Sequence, residues 1–284
     1  MLKDTTFGSG FRESSDGWQR DGSAGACCAA PGLPELPIYH DTTDVKAVAI
    51  IPARLASTRL PGKVLRKIAG RPMLSYVYQA ARACPKLHDV IVATDSQAIA
   101  DVCDENGWSC ALTSPAHRSG TDRVHEVAQT VAADVYVNVQ GDEPLARREH
   151  LDVLLALMER DDVAVGTLKT PCSAEDVNNP NAVKVVTAPD GRALYFSRAT
   201  IPFDRDQSGK LRYFKHLGFY AYRKAALDAF RRWPESELER SERLEQLRFL
   251  ENGIAIHVAE TVYDTVGVDT EEDLRRVERV LTTG

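Results

Sequence analysis

The sequence predicts an α/β fold whose first half is a doubly wound, mostly parallel sheet. Two observations support this prediction: short apolar runs rich in β-branched residues, and helical segments that alternate with them. The first run covers residues 45–51 and stops at Pro52. Strands that are apolar on both sides are typical of parallel sheets, because helices cover both faces of such sheets.

The alternation continues as far as residue 160. We expect strands at 45–51, 89–93, 110–112 and 135–139, and helices at 72–83, 97–105, 121–132 and 149–159. After residue 163 the pattern becomes irregular and predicts a mixed-sheet elaboration, with loops in place of crossover helices. There we expect strands at 163–168, 183–186, 218–222 and 254–258, and helices at 241–251 and 270–281.

The composition divides the chain into an extension and one domain. Residues 1–44 contain six of the 18 glycines and no periodic apolar run, so they predict a flexible N-terminal extension. The domain covers residues 45–284, with halves at 45–160 and 161–284.

The bulk properties exclude several classes of protein. A net charge of −6 argues against nucleic-acid binding. No apolar run approaches the roughly 18 residues of a membrane span, which predicts no membrane partner. The six cysteines form no C-x-x-C pair, so they predict reduced thiols and a cytoplasmic location.

A cationic loop follows the first predicted strand. Arg54, Ser57, Arg59 and Lys63 lie within ten residues, at the carboxyl end of a parallel strand, where ligands bind in open α/β sheets. Cations and hydroxyls in such a loop suit a polyphosphate, although the loop matches neither the Walker A nor the dinucleotide motif. A solvated basic connection is the alternative interpretation.

Two aspartates are candidate metal ligands. Asp142 follows the strand at 135–139, and carboxylates placed there suit Mg²⁺. A turn or helix cap is the alternative for Asp142. Asp269 precedes the last helix, where a helix N-cap is the simpler interpretation. A third segment, Ser119 to Arg123, opens a helix and offers backbone N–H groups to a base or phosphate, with capping by Thr121 as the simpler alternative.

Taken together, these segments resemble the 3-deoxy-manno-octulosonate cytidylyltransferases (CMP-Kdo synthetases). The resemblance runs from about Lys46 to the C-terminus. It is carried by the segments IPARLASTRLPGK (51–63), VATD (92–95), HRSGTDR (117–123), VNVQGDEP (137–144), NAVKVV (181–186), ALYFSRATIP (193–202), KHLGFYAYR (215–223), LEQLRFLENG (244–253) and GVDTEEDL (267–274).

The resemblance implies a fold, a reaction and an assembly. The fold is Rossmann-like, of the nucleotide-diphospho-sugar transferase type, with a nucleotide-binding half followed by a sugar-binding and dimerisation half. The reaction transfers CMP from CTP to 3-deoxy-D-manno-octulosonate for lipopolysaccharide synthesis, with Mg²⁺ as cofactor and a homodimer as the assembly. An 8-amino analogue of this sugar, or another acid sugar such as sialic acid, stays open as the acceptor.

The resemblance also implies residue roles. The CTP-binding residues are Arg54, Ser57, Arg59, Lys63, Ser119, Gly120 and Arg123, of which Arg59 and Lys63 act with Asp142 in catalysis. The metal ligands are Asp142 and Asp269. The sugar-binding residues are Gln140, Tyr195, Ser197, Arg198, His216, Glu245 and Gln246. Arg198 and His216 are basic groups suited to the carboxylate of the sugar. The alternatives are a packed strand-end histidine for His216 and a dimer contact for Arg198.

Overall fold

A mixed sheet with helices on both faces forms the described part of the chain, residues 45–57, 59–117 and 119–283 of the computed structural model. The extension predicted for residues 1–44 lies outside these residues. The strands are β1 (Ala47–Ala53), β2 (Lys67–Ile68), β3 (Arg71–Pro72), β4 (Leu87–Thr94), β5 (Ser109–Leu112), β6 (Val135–Asn138), β7 (Val165–Pro171), β8 (Lys184–Thr187), β9 (Ala193–Ser197), β10 (Phe214–Arg223) and β11 (Ile256–Glu260). The helices are α1 (Met73–Arg82), α2 (Gln97–Glu105), α3 (Gly120–Thr130), α4 (Arg148–Met158), α5 (Ala174–Val177), α6 (Lys224–Arg232), α7 (Glu237–Glu242), α8 (Leu247–Glu251) and α9 (Glu271–Thr283), with a short 3₁₀ helix at Lys63–Leu65. None of the described helices is both long enough and apolar enough to cross a membrane.

The main sheet confirms the predicted fold class. Its strand order is β11-β7-β10-β6-β1-β4-β5, with β8 and β9 as a ribbon beside β10. Strands β6, β1, β4 and β5 are parallel to one another, and β11 is parallel to β7. Strand β10 is antiparallel to both β6 and β7. Because Tyr220 in the middle of β10 pairs with Asn138 at the end of β6, the first half of β10 reaches the carboxyl edge of the parallel strands.

The second half contains more helices and strands than the sequence predicts. Helices α5 and α6 and strand β9 lie where the pattern predicts only loops. The single helix predicted over 241–251 is instead the two short helices α7 and α8. Arg243 between them has a left-handed backbone, with φ 56° and ψ 46°, through which a right-handed helix cannot continue.

Two apolar cores hold the helices on the sheet. Helices α1, α2 and α4 cover one face, where Leu74, Ile99 and Leu154 are fully buried. Helices α3, α6 and α8 cover the other face, where the rings of Phe230 and Phe249 stack with centroids 4.9 Å apart. Burial on both faces is the reason that the parallel strands are continuous apolar runs.

A third, smaller core fixes two loops at the carboxyl edge of the sheet. Leu60 from the loop after β1 and Val268 from the loop before α9 are both buried in it. Leu274 and Val277, one turn apart on α9, complete the cluster together with Met73 of α1. The loops that contain Leu60 and Val268 therefore share one apolar anchor.

Gly141 lets the loop after β6 approach the end of β1. A Cβ at this position would lie 2.8 Å from the carbonyl oxygen of Pro52. That contact is with backbone at the end of a buried strand, which cannot move away as a flexible side chain would. Only glycine fits this approach.

We expect Gly141→Ala to lower the free energy of unfolding by about 1–3 kcal/mol, because the added methyl group overpacks the contact with Pro52. Urea denaturation followed by circular dichroism measures this change. Gly267→Ala is the matched control, since a Cβ there would meet nothing within 4 Å. Equal stability of the two variants would contradict the interpretation.

Candidate active site

The loop after β1 brings the predicted phosphate-binding residues into a cleft. The backbone amide of Gly62 donates to the carbonyl of Leu55 at 3.0 Å, which closes the loop on itself. Gly62 has φ 64°, a left-handed conformation that glycine adopts without steric cost. One wall of a cleft of about 570 Å³ is lined by the four predicted residues, Arg54, Ser57, Arg59 and Lys63.

Asp142 and Asp269 meet across Lys63 in this cleft. The Lys63 Nζ lies 2.5 Å from Asp142 Oδ2 and 2.8 Å from Asp269 Oδ1. Arg59 contacts the other carboxylate oxygen of Asp269 at 2.7 Å. The two aspartate loops are also joined directly, because the amide of Val268 donates to the carbonyl of Asp142 at 2.9 Å. The structure therefore assembles both predicted metal ligands at one point.

Helix capping does not account for Asp269. At the start of α9, the Thr270 hydroxyl accepts from the amide of Asp273 at 3.2 Å. The Asp273 carboxylate in turn accepts from the amide of Thr270 at 2.9 Å. This reciprocal pair is the capping arrangement, and it leaves the Asp269 carboxylate to the cations of the cleft.

The charges of the cluster support one another. Burial opposes the charged form of Lys63, but the adjacent Asp142 and Asp269 outweigh it and raise the pKa of the amine. Burial likewise opposes the charge on Asp269, whereas Lys63 and Arg59 lower the pKa of this carboxyl overall. Lys63 and Asp269 are therefore both ionised at neutral pH.

The two carboxylates fit a Mg²⁺ ion that is also bound by phosphate oxygens. Oxygens of Asp142 and Asp269 converge on one cationic atom, Lys63 Nζ. In nucleotide enzymes, Mg²⁺ is commonly held by one or two protein carboxylates together with substrate phosphates. Within the described ranges, no group of three or more His, Cys, Asp or Glu side chains is placed to hold a metal by itself.

The start of α3 forms another part of the cleft, lined by Ser119 and Gly120. The helix cap is Ser119, whose hydroxyl accepts from the amide of Asp122 at 3.2 Å. The capping role suggested for Thr121 is wrong, because its hydroxyl donates to Glu245 at 2.9 Å. Ser119 therefore both caps α3 and lines the cleft.

Arg123 reaches the cleft as an anchored cation. Only 3% of the residue is exposed. Its guanidinium donates to the Thr113 hydroxyl at 2.6 Å and to the Asp95 carboxylate at 2.8 Å. The VATD segment thus has a structural role, since Asp95 orients Arg123.

His117, which the sequence interpretation missed, lines the same cleft and contacts the carboxylate of Glu126.

A second cavity, of about 220 Å³, adjoins the cleft. It is lined by four of the seven residues predicted to bind the sugar: Gln140, His216, Glu245 and Gln246. Gln140, just after β6, lines both cavities. Because they share this side chain, ligands in the two cavities would be neighbours.

The other three predicted sugar-binding residues lie outside the lining of this cavity. Tyr195 packs against the core on the α6 and α8 face. The Ser197 hydroxyl donates to the Glu242 carboxylate at 2.6 Å. Arg198 donates to the carbonyl oxygen of Glu242 at 2.8 Å and to that of Pro180 at 3.1 Å. Ser197 and Arg198 therefore fix the α7–α8 turn. The sugar contact expected for these three residues stays a prediction.

His216 lies in the second cavity as a neutral group. Desolvation lowers the pKa of its imidazole to about 3. The Thr167 hydroxyl donates its one proton to the Phe219 carbonyl at 2.7 Å, so the contact of 3.0 Å from His216 Nε2 to Thr167 Oγ1 is donated by the histidine. This assignment of the tautomer leaves Nδ1 as an acceptor. The imidazole is neutral here, and contact of His216 with the sugar stays a prediction.

The second cavity contains buried polar atoms that have no partner. Of the six described side chains with such an atom, three line this cavity. They are Asn138 through Oδ1, Tyr220 through its hydroxyl and Gln246 through Nε2. Buried polar atoms are nearly always hydrogen-bonded, and these three offer donors as well as acceptors. The cavity is suited to a ligand with many hydroxyl groups.

Tyr220 and Asn138 were missed in the sequence interpretation, although the alternation of side chains along a strand relates each of them to a predicted residue. Tyr220 and His216 are four positions apart on β10, and alternation places such residues on one face of a strand. Their ring centroids lie 5.3 Å apart. Asn138 ends β6 two positions before Gln140, so the same alternation relates those two residues.

Comparison with known proteins identifies the family to which the chain is similar. Residues 48–257 match a family described as Cytidylyltransferase. A 3-deoxy-manno-octulosonate cytidylyltransferase from Koribacter versatilis is 71% identical over 249 residues, which covers 88% of this chain and 95% of that protein. A protein of the same name from Acidobacterium capsulatum is 58% identical, and 84% of this chain and 98% of that protein are covered.

Solved structures show the same similarity. A CMP:2-keto-3-deoxy-manno-octonic acid synthetase complexed with CTP matches with a TM-score of 0.80 and 42% identity, covering 84% of this chain and 98% of that one. The inositol-1-phosphate CTP transferase from T. maritima matches with a TM-score of 0.61 at 14% identity, covering 84% of this chain and 96% of that one. The second likeness concerns the fold alone.

We expect Lys63→Met to lower the melting temperature when divalent cations are chelated, because Asp142 and Asp269 would then repel each other without a bridging charge. Adding Mg²⁺ should raise the melting temperature of this variant more than that of the wild type, since the ion replaces the lost charge. Differential scanning fluorimetry in EDTA and in Mg²⁺ measures both effects.

Lys86→Met is the matched control for this experiment. Lys86 also contacts a carboxylate, that of Glu159 at 2.7 Å, but both side chains are exposed. Exposed ion pairs contribute about 0–1 kcal/mol, so the control should melt like the wild type in either buffer. An identical Mg²⁺ response in the wild type and Lys63→Met would contradict the interpretation of the cluster.

Proposed function

The chain belongs to the 3-deoxy-manno-octulosonate cytidylyltransferases, and on that basis we propose that it transfers CMP from CTP to the anomeric hydroxyl of 3-deoxy-D-manno-octulosonate, releasing pyrophosphate. The observation that carries this proposal is the pair of cavities that adjoin at Gln140. One is lined by cations and carboxylates, as a metal-bound triphosphate requires. The other holds unpaired polar atoms, as a polyhydroxylated acceptor requires.

The reaction is an in-line displacement at the α-phosphorus of CTP. The anomeric oxygen forms a bond to that phosphorus while the bond from phosphorus to the bridging oxygen of the β-phosphate breaks. The electron pair of the broken bond leaves with pyrophosphate, and the proton of the attacking hydroxyl is released to solvent. Gln140 lines both cavities, and we assign it to contact both the nucleotide and the sugar, which would align the attacking oxygen.

The cations of the first loop bind the triphosphate and stabilise its leaving group. Arg54, Arg59 and Lys63 line the cleft on the side of the loop after β1. When phosphate oxygens replace the carboxylates as partners of Arg59 and Lys63, their charges offset the charge that develops on pyrophosphate. Asp142 and Asp269 are then released to bind the cation that accompanies the nucleotide.

Mg²⁺ is the cation that we assign to Asp142 and Asp269, where it would withdraw electrons from the α-phosphate and lower the pKa of the attacking hydroxyl. The support for this assignment is the convergence of hard oxygen donors beside the triphosphate cleft. Ser119, Gly120 and Arg123, on the α3 side, are assigned to the cytidine.

We further propose that the protein acts in the cytoplasm, supplies lipopolysaccharide synthesis and forms a homodimer. The support for the homodimer is the exposure of large apolar side chains in the second half of the domain. Phe203 is 83% exposed, Leu194 is 63% exposed and Leu211 is 40% exposed. Side chains of this size are common in protein interfaces.

Light scattering at micromolar protein is expected to give a mass about twice the 31.3 kDa of the chain. Phe203→Ser should shift this mass toward that of the monomer, because the variant removes the most exposed of the three aromatic and aliphatic side chains. A wild-type mass equal to one chain would refute the dimer.

Asp142→Asn provides the test of the function. In a pyrophosphate-release assay with CTP and 3-deoxy-manno-octulosonate, the wild type should turn over and the variant should be slower by about a thousandfold, a loss of about 4 kcal/mol of transition-state stabilisation. The amide keeps the shape of the side chain but lacks the charge that holds the cation. Thermal melting should show that the variant is folded.

Asp162→Asn is the control, since Asp162 forms an exposed ion pair with Arg160. It should turn over like the wild type. Near-normal turnover of Asp142→Asn would end the metal assignment for that residue. Comparable kcat/KM with ATP and CTP would refute the cytidylyl assignment, and better use of sialic acid or an 8-amino analogue would change the acceptor.

A further inference from the structure

Lys215 is a buried cation outside the described linings of both cavities. It is adjacent to His216 on β10, and adjacent side chains of a strand point to opposite faces of the sheet. His216 lines the second cavity, whereas Leu217, on the same face as Lys215, packs in the core under α1, α2 and α4. Only 9% of Lys215 is exposed, and a lysine buried to this extent needs partners for its charge.

The partners of Lys215 come from two segments of the chain. Its Nζ lies 2.6 Å from Asp264 Oδ1 and 2.8 Å from Asp264 Oδ2, so it contacts both oxygens of one carboxylate. It also donates to the carbonyl oxygen of Thr265 at 3.3 Å. The third partner is the carboxylate of Asp176 on α5, at 3.3 Å. Asp264 and Thr265 belong to the segment 261–270, which we call the β11–α9 loop.

The β11–α9 loop carries Asp269, one of the two carboxylates assigned to the cation. The end of the loop next to Asp269 is fixed through the backbone, because the amide of Val268 donates to the carbonyl of Asp142 at 2.9 Å. Lys215 fixes the middle of the loop through Asp264, which precedes Asp269 by five positions. The loop therefore has an anchor on β10 in addition to its anchor at Asp142.

We propose that Lys215 is a positioning residue that holds Asp269 where a divalent cation binds it together with Asp142. This inference rests on the proposed function, because the cation is the one that accompanies the nucleotide in that reaction. Removing one partner of a buried ion pair leaves the other charge uncompensated. The Asp264 side chain, which is already 45% exposed, would then turn to solvent and take the β11–α9 loop with it.

Electrostatics alone predicts the opposite effect of removing this charge. Lys215 is positive, so its loss by itself would make the surroundings of Asp142 and Asp269 more negative and would tighten cation binding. If Lys215 acts through the position of the loop, its loss weakens cation binding although the charge changes in the favourable direction. The sign of the change in cation affinity therefore distinguishes the two effects.

The activity test measures the concentration of free Mg²⁺ that gives half-maximal turnover, with saturating CTP and the acid sugar. Lys215→Met keeps an unbranched side chain of similar length but removes the charge. It should raise this concentration by about 10-fold, the lower end of the range for groups that orient metal ligands. At saturating Mg²⁺ its kcat, and its KM for the sugar, should be close to those of the wild type.

Mn²⁺ binding provides a measurement that does not depend on turnover. Mn²⁺ takes the same oxygen ligands as Mg²⁺, and its free aqueous form is quantified by electron paramagnetic resonance. With CTP and no acceptor, Lys215→Met should bind Mn²⁺ about 10-fold more weakly than the wild type. Lys215→Arg should restore most of the affinity, because the guanidinium keeps the charge and can pair with the Asp264 carboxylate.

Asp264→Asn tests the same contact from the other partner, and its partly exposed site makes it the variant to use if Lys215→Met does not fold. It should also weaken Mn²⁺ binding, whereas electrostatics alone would move the two single variants in opposite directions. The double variant should bind Mn²⁺ no more weakly than Lys215→Met, since both changes break one contact.

Arg223→Met is the matched control. Arg223 is at the other end of β10, donates to the carbonyl of Met158 at 2.8 Å and lies outside the described linings of both cavities. This variant loses a cation from the same strand without a contact to the β11–α9 loop. It should bind Mn²⁺ like the wild type, and thermal melts run alongside compare its stability with that of Lys215→Met.

Four results would overturn the inference. Mn²⁺ binding by Lys215→Met that is unchanged or tighter would exclude the positioning role, and so would unchanged binding by Asp264→Asn. An equal loss in Arg223→Met would indicate a general effect of stability. A loss that Lys215→Arg does not restore would indicate packing. A wild type that binds Mn²⁺ in the expected Lys215-dependent way but does not turn over would refute the proposed function and support this inference.

Discussion

The cleft depends on one ionic bridge, in which Lys63 joins the carboxylates of Asp142 and Asp269. The bridge connects loops whose residues are up to 206 positions apart in the chain. The shared apolar core beneath Leu60 and Val268 brings these loops together, and Lys63 then offsets the repulsion between the two acids. Without this cation, two carboxylates held side by side would repel each other and destabilise the edge of the sheet that forms the cleft.

The two cavities differ in whether their polar groups have partners before a ligand binds. On the nucleotide side Arg59 and Lys63 already have carboxylate partners, so ligand binding at these two residues exchanges one set of ion pairs for another. The acceptor side instead holds buried atoms such as Asn138 Oδ1 and the Tyr220 hydroxyl, which have no partner within the described residues. Leaving such atoms unpaired costs free energy that a sugar recovers when its hydroxyl groups bind. The acceptor side should therefore reject ligands that fill the cavity without hydrogen-bonding.

The sequence predicted the nucleotide half better than the acceptor half, and the reason is physical. Parallel strands are marked by continuous apolar runs, and the residues just after them must lie at one edge, which located Lys63 and Asp142. The turn at Arg243 has no such mark, because glycine or asparagine is the usual signal for a left-handed residue. Helix α6 does show a 3.6-residue apolar period, with Ala226 and Phe230 buried. It was missed only because such a short periodic segment is hard to distinguish from a loop in the sequence. The contacts of Arg198 depend on tertiary folding that motif similarity does not describe.

The reversed direction of β10 has a consequence for how this architecture can diversify. Since β10 enters the sheet from the opposite side, its first residues reach the catalytic edge without belonging to the parallel unit that holds the nucleotide. Changes in β10, or in the chain just before it, can therefore reshape the acceptor cavity while the loop after β1 keeps its geometry. Within a single sheet, the loop after β1 can thus be retained while β10 and the chain just before it are exchanged.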